Sequence, residues 1–342
     1  MPLGWAIVST GRHPDTKMAP AINAAAGSTI AAVLSRDESR AATFADKHGA
    51  AKPYTDLDAM LADPAVDVVY VASPNALHAE HTIAAARAGK HVLVEKPMAL
   101  TVDDCQRIID ACESAGVTLG VGFHLRAHPG HQRVRELVAN SDIGVVSLAT
   151  ANWGRGTRGV TTPPTRPALQ AWWDDPALVG AGAFMATGVH CVDLMRFVTG
   201  REVTEVSALS DATPERPLEE LLTLSLRFDD GSLGTIMTSR RTPDYVGNDL
   251  TVYGSLGRAG VRESIDMIFG GTLDVSTEAL RIEKSYATDP VTMYTWQVDA
   301  FNEAVAGNGQ PLASGADGLA AARITLAMVE SAKTGARIDL SA

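Results

Sequence analysis

Apolar residues in the first third of the chain come in short continuous runs: Trp5–Ser9, Thr29–Ser35, Val66–Ala72, His91–Glu95 and Thr118–Gly122. Between them they recur at helical spacing, so strands and helices alternate. The spacing predicts helices over Lys17–Ala26, Asp37–His48, Asp56–Leu61, a segment capped by Asn75 and ending at Gly89, and Val102–Ala115. Thr101 with Asp104 reads as a capping box, and Gly49 and Gly116 as stops. Val66–Ala72 is almost wholly apolar, as a strand covered on both faces should be. Alternation of this kind predicts a parallel sheet with helices on its faces.

Beyond residue 122 the pattern changes. Strand-like runs follow one another at Val145–Trp153, Val203–Ser210, Leu221–Phe228, Gly231–Ser239 and Asn248–Tyr253, with turn signals such as Asp229-Asp230-Gly231. Helical spacing returns over Gly188–Val198 and Asp317–Thr334, the latter stopped by Gly335. Gly154–Pro167, rich in Gly, Thr, Arg and Pro, reads as a loop. The expected fold is α/β: residues 1–122 form a domain built on a parallel sheet with helices on its faces. Residues 123–342 form an α/β domain with a largely antiparallel, open-faced sheet. Such a face needs covering, so a homodimer or homotetramer is expected.

Composition narrows the function. A chain of 342 residues exceeds one ordinary domain. A net charge of -11 argues against nucleic acid and anionic membranes as partners. No basic segment leads into an apolar stretch and cleavage site, and no run of about eighteen apolar residues is present. The three cysteines suit a reducing cytoplasm, the expected location.

The candidate chemistry begins at Glu95-Lys96-Pro97. A lysine at the carboxyl end of a parallel strand sits where open α/β sheets bind ligands, and the proline biases it toward an extended conformation. After the first strand the turn reads Ser9-Thr10-Gly11-Arg12-His13-Pro14, a degraded G-x-G-x-x-G in which only Gly11 survives. After the second, Ser35-Arg36 replaces the acidic residue that binds a ribose 2′-hydroxyl, with Arg40 one turn on. Arginine there pairs with a 2′-phosphate, favouring NADP(H) with NAD(H) as the alternative, and Asp37 one residue later blurs the preference. Ser73, Pro74, Asn75 and His78 follow the next long strand and suit a ribose or nicotinamide, although Asn75 is also explained as a helix cap. In Gly180–Asp193, His190 and Asp193 share a helical face, and a buried structural histidine is the competing reading. His124, His128 and His131 imitate metal ligands, but Pro129-Gly130 interrupts the spacing and no metal is expected.

Together these segments resemble the glucose–fructose oxidoreductase / inositol dehydrogenase / rhizopine-catabolism (Gfo/Idh/MocA) family, over essentially the whole chain. The resemblance rests on Ala84–Pro97, the segment running to His190 and the tail Gly315–Gly335, and is strongest to the bacterial anhydrofructose reductases. It implies that residues 1–122 are a Rossmann dinucleotide-binding domain and that the protein is an NADP(H)-dependent oxidoreductase interconverting a carbonyl and an alcohol on a sugar or sugar-derived substrate. Thr10, Gly11, Arg12 and His13 would touch the pyrophosphate; Ser35, Arg36 and Arg40 the 2′-phosphate. Ser73 to His78, Glu95, Lys96 and Gly122 would line the ribose and nicotinamide, and Trp172, Trp173 and Tyr294 would lie on the cofactor side. Lys96 would act as acid/base with His190 assisting, and Lys96, His190 and Asp193 would meet the substrate. Two departures stand out: Trp173 replaces an arginine, and Ala186 replaces the aspartate usual four residues before the histidine. The alternatives are an NAD-dependent polyol, inositol or dihydrodiol dehydrogenase, and an NADP-binding regulatory protein without turnover.

Overall fold

The computed structural model describes residues 2–154, 168–241 and 247–341. Six strands form the first sheet: β1 (Leu3–Val8), β2 (Ser28–Leu34), β3 (Lys52–Tyr54), β4 (Val68–Val71), β5 (His91–Val94) and β6 (Leu119–Val121). All pair in parallel, in the order β3-β2-β1-β4-β5-β6. This is the doubly wound Rossmann order, whose direction reverses between β1 and β4, the place where such sheets bind ligands. Five helices alternate with the strands: α1 (Ala19–Ala24), α2 (Glu38–His48), α3 (Leu57–Leu61), α4 (His78–Arg87) and α5 (Val102–Ala115). A five-residue wide helical turn, Pro14–Met18, leads into α1.

Further along come α6 (Pro129–Ala139), α7 (Pro176–Val179), α8 (Val189–Thr199), α9 (Thr292–Val305) and α10 (Gly315–Thr334). The second sheet holds β7 (Val146–Gly154), β8 (Val203–Ser210), β9 (Leu221–Phe228), β10 (Leu233–Ser239), β11 (Leu250–Gly254), β12 (Gly257–Arg262), β13 (Phe269–Thr277), β14 (Arg281–Asp289) and β15 (Ile338–Asp339). Their order is β14-β13-β12-β11-β7-β10-β9-β8-β15, and only β7 and β10 run parallel. β9 shows the reason for its sidedness. Leu222, Leu224, Leu226 and Phe228 are buried, while Leu221, Thr223, Ser225 and Arg227 are exposed. Two compact units result: Met1–His124, Ala168–Trp172 and Val291–Ala322 form the first, and the rest of the chain the second.

α9 belongs to the first unit. Its Phe301 meets Trp5 edge to face at 5.6 Å, and Tyr294, Val298 and Phe301 complete a core with Ile7, Ile22 and Tyr70. In the second unit, α8 packs on β7, β10 and α6. The stretch Pro176–Thr199 has the length and hydropathy of a membrane span, yet 83% of that window is buried inside the unit.

Several expectations need correction. Lys52–Tyr54 is an edge strand missed for its brevity and its proline, so Val66–Ala72 supplies the fourth strand rather than the third. Asn75 does not cap α4: it opens a 3₁₀ turn, and the residue before α4 makes no capping side-chain bond. Pro129 opens α6, where its missing N–H costs nothing, and as expected His124 and His128 precede the helix that carries His131. β12, β13 and β14, together with α9, were not anticipated. Of the expected loop Gly154–Pro167, all but Gly154 lies outside the described residues.

The histidines after β6 are used structurally. His128 accepts from the Gly130 N–H through Nδ1 (3.0 Å) and donates to the Gly270 carbonyl through Nε2 (2.8 Å). The His131 ring lies 4.5 Å away, its nitrogens on the Leu125 carbonyl and the Ser264 hydroxyl. Burial pushes the His128 pKa down to about 4, against the pull of the Gly270 carbonyl. The fold therefore needs the neutral ring. Its contribution is complete above the ordinary value of 6.5 and is lost as pH falls toward about 4. At about 1.4 kcal/mol per unit, denaturant titrations should lose roughly 3 kcal/mol across that window. His128→Asn should flatten that dependence.

Candidate active site

The carboxyl ends of the parallel strands converge on one buried carboxylate. Glu95 is 8% exposed. Its Oε1 accepts from the Tyr70 hydroxyl of β4 at 2.7 Å and lies 3.3 Å from His13 Nε2. Its Oε2 accepts from the Lys96 N–H at 3.3 Å. Gly122 leaves the room, since a Cβ there would stand 2.7 Å from Oε1. Burial alone would raise this pKa, but His13, Lys96 and Tyr70 outweigh it and hold the carboxyl at about 2. Burial and the anion together drive the Tyr70 pKa well up. Lys96 follows at once, half-buried, with a cis bond to Pro97.

Beside it, His78 joins two strand ends. Its Nδ1 lies 2.8 Å from the Pro97 carbonyl and its Nε2 2.9 Å from the Ser73 carbonyl. Ser73, Asn75 and His78 are all buried, and the Ser73 hydroxyl meets His81 Nδ1 at 2.9 Å. His78, expected at the ribose, is thus a brace between β4 and β5.

The turn after β1 retains one fingerprint glycine, Gly11. Ser9 holds φ 116°, a region that favours glycine. Its hydroxyl takes the Gly11 N–H at 3.1 Å. Thr10 reaches the Ser35 hydroxyl at 3.5 Å, bringing the ends of β1 and β2 together. Arg12 is exposed, while the His13 ring stands edge-on to Tyr294 at 5.3 Å. Tyr294 itself is 1% exposed, stacked on His124 at 4.7 Å, with Lys17 Nζ 5.7 Å from its ring.

After β2, Asp37 is committed as the N-cap of α2. Its Oδ1 accepts the Arg40 N–H at 2.9 Å and the Ser39 hydroxyl at 2.8 Å. Arg36 is exposed and bonded to no other described residue. Arg40 Nε lies 3.9 Å from Asp37.

In the second unit, α8 carries His190, 3% exposed, its ring 5.2 Å from the Trp153 indole. Asp193, on the same face, is gripped by Arg126: Nε to Oδ2 at 2.9 Å and Nη2 to Oδ1 at 2.6 Å. Ala186 is half-buried one turn before His190. Trp172 belongs to the first unit and Trp173 to the second, where the Arg240 guanidinium lies 5.6 Å from its ring. Glu219, which sequence reasoning passed over, is 5% exposed and bonded to the segment that enters α8. Among the described residues no cluster of three or more metal-ligating side chains occurs.

Comparison with known proteins is consistent with this geometry. Residues 3–123 match the model of an oxidoreductase family with an NAD-binding Rossmann fold, and 131–260 that of the GFO/IDH/MocA C-terminal domain. A 1,5-anhydro-D-fructose reductase of Ensifer adhaerens is 31% identical over 98% of both chains. An NADP(+)-dependent D-xylose 1-dehydrogenase of Haloferax volcanii is 32% identical over 91% of both. Among solved structures, an aldose-aldose oxidoreductase of Caulobacter crescentus complexed with glycerol superposes with TM-score 0.87 at 27% identity, covering 99% of this chain and 100% of its own.

The positive φ at Ser9 stores strain of about 1–3 kcal/mol. Ser9→Gly should relieve it and raise unfolding stability by about 1 kcal/mol, whereas Ser9→Val should lower it by 2 kcal/mol or more. Denaturant melts of both variants check this.

Proposed function

From the premise that the chain belongs to the Gfo/Idh/MocA oxidoreductase family, we propose that it is an NADP(H)-dependent enzyme interconverting a carbonyl and an alcohol on a sugar or sugar-derived substrate. The observation that carries the cofactor preference is the division of labour after β2. Asp37 spends its carboxylate on capping α2, and Arg36 is an exposed cation with no described partner. One oxygen of that carboxylate, Oδ1, is already occupied by the cap, whereas a 2′-phosphate would find an uncommitted guanidinium. The remaining residues fit a dinucleotide: the Ser9–His13 turn for the pyrophosphate, and Ser73, Glu95 and the side-chain-free Gly122 for the ribose and nicotinamide.

The bound nicotinamide supplies or accepts hydride. The protein's task is then the proton. Lys96 hydrogen-bonds the substrate oxygen, stabilises the alkoxide that forms in reduction, and donates a proton to it. Glu95 fixes the backbone from which the lysine projects. His190 is a second donor to the substrate. Asp193, engaged by Arg126, holds α8 rather than meeting the substrate through its carboxylate.

Following tryptophan fluorescence, NADPH should bind tightly and NADH weakly, and Arg36→Ala should weaken NADPH by about tenfold or more while leaving NADH unchanged. Equal binding of the two cofactors would refute the preference. Lys96→Ala should lower turnover by about 10²–10⁴ while NADPH still binds, and Lys96→Arg should fail as well. A variant that loses only substrate affinity would remove Lys96 from its acid/base role. NADPH binding without turnover of any sugar carbonyl would favour a regulatory protein.

A further inference from the structure

The segment that leads to His190 is fastened by one residue distant in sequence. Glu219 accepts the Gly182 N–H through Oε2 at 2.9 Å and the Phe184 N–H through Oε1 at 3.0 Å. Its backbone carbonyl takes the amide between them, Ala183, at 2.8 Å. Three successive N–H groups therefore end on a single residue. They stand at the mouth of the wide turn Phe184–Gly188, which passes directly into α8. Gly182 is obligatory for this approach: a Cβ there would lie 1.9 Å from the Glu219 carbonyl oxygen. Thr187 closes the turn from the other side by donating to the Ala183 carbonyl at 2.7 Å.

A carboxylate suits this place for a definite reason. Two backbone donors point at two different oxygens, and only an ionised carboxyl offers an acceptor to each; glutamine offers one acceptor and one donor. Burial nevertheless raises this carboxyl's pKa, with Arg240 and the N–H groups opposing. A buried anion is an expensive way to end a helix, where an exposed serine or aspartate would serve. In the wide turn that leads into α8, Ala186, one turn before His190, carries no polar side chain, and the His190 ring lies 5.2 Å from the Trp153 indole. Where the imidazole stands follows from the register of its backbone, which is set where the segment begins.

We propose that Glu219 is a positioning residue: by holding the amides of Gly182, Ala183 and Phe184 it sets the register of the helix that carries His190, and so the aim of that imidazole at the substrate. This rests on the reading that His190 assists the reaction. Two variants test it, Glu219→Gln, which keeps size but loses one acceptor, and Glu219→Asp, which keeps charge but is one methylene short of spanning both donors. Both are read against wild type by steady-state kinetics with NADPH and with cofactor deuterated at the transferred position. The nitrogen NMR signals of the His190 ring, assigned through His190→Gln, are followed in parallel.

For Glu219→Gln, kcat should fall about 10- to 100-fold with the KM for NADPH within about twofold. The deuterium isotope effect on kcat should rise, and the His190 signals should move. Glu219→Asp should fall between it and wild type, and it carries the test if the glutamine variant does not fold. Wild-type kcat with unmoved His190 signals in the folded variants would overturn the proposal. So would a kcat that drops only in proportion to the loss of folded protein. If wild type reduces no sugar carbonyl, the functional reading fails; the NMR comparison still tests whether Glu219 governs the ring.

Discussion

A carboxylate shut away from water is the constraint on which the ligand-facing side of the first unit depends. An unpaired anion in such a place costs several kcal/mol, so every neighbour of Glu95 must be a donor. Those neighbours come from different parts of the chain: Tyr70 from β4, His13 from the turn after β1, and the Lys96 amide from the residue that follows. Gly122, after β6, contributes by lacking a side chain. One charge thereby fixes the relative position of four strand ends. The lysine beside it inherits a backbone that cannot drift, which the acid/base role proposed for it requires, since a misplacement of about an ångström is costly.

The second unit uses acidic groups in a related way. Asp193 lies in the middle of α8 and is locked by both arms of Arg126. Glu219 holds the segment that enters the helix. Between these points lies His190, on a helix whose eleven residues are all buried. A helix packed only by apolar contacts can slide or rotate at modest cost. One fastened by directional bonds at two levels keeps its register. Charges that look catalytic in a list of residues are here the mounting of the imidazole.

What was legible in the sequence follows from how local each signal is. Val203–Ser210 and Leu221–Phe228 were read to the residue, because their signals are local: the second alternates strictly, and turn residues bound it. Asp37, Thr101, Gly49 and Gly116 announced their helix ends for the same reason. β12 to β14 hid because glycines and scattered charges break their alternation; Gly257, Gly260, Gly270 and Gly271 sit where strands approach closely. α9 was passed over although Met293, Tyr294, Val298, Phe301 and Ala304 recur at helical spacing on one buried face. Lys96 and the residues of the turn after β1 stood out as candidates because motif and strand end coincide, and His190 because its segment carries the family resemblance. Glu219 was invisible: its partners are backbone amides thirty-five and thirty-seven positions away, and no side-chain pattern encodes them. Ser9 was misjudged as a weakened fingerprint, since the sequence does not reveal that a serine is forced into a glycine's conformation.

The buried stretch from Pro176 to Thr199 has a consequence for how the chain reaches this state. Its covering strands, β7 and β10, lie on either side of it in sequence and pair with each other only across a long excursion. Until that parallel pair has formed, a segment with the hydropathy of a membrane helix lacks the sheet that covers it and has only its neighbour α6. Newly made or heat-unfolded chains therefore pass through a stage that sticks to other chains. Loss of the protein on heating should then grow with its concentration, as aggregation of an exposed segment does and an equilibrium between native and unfolded forms does not.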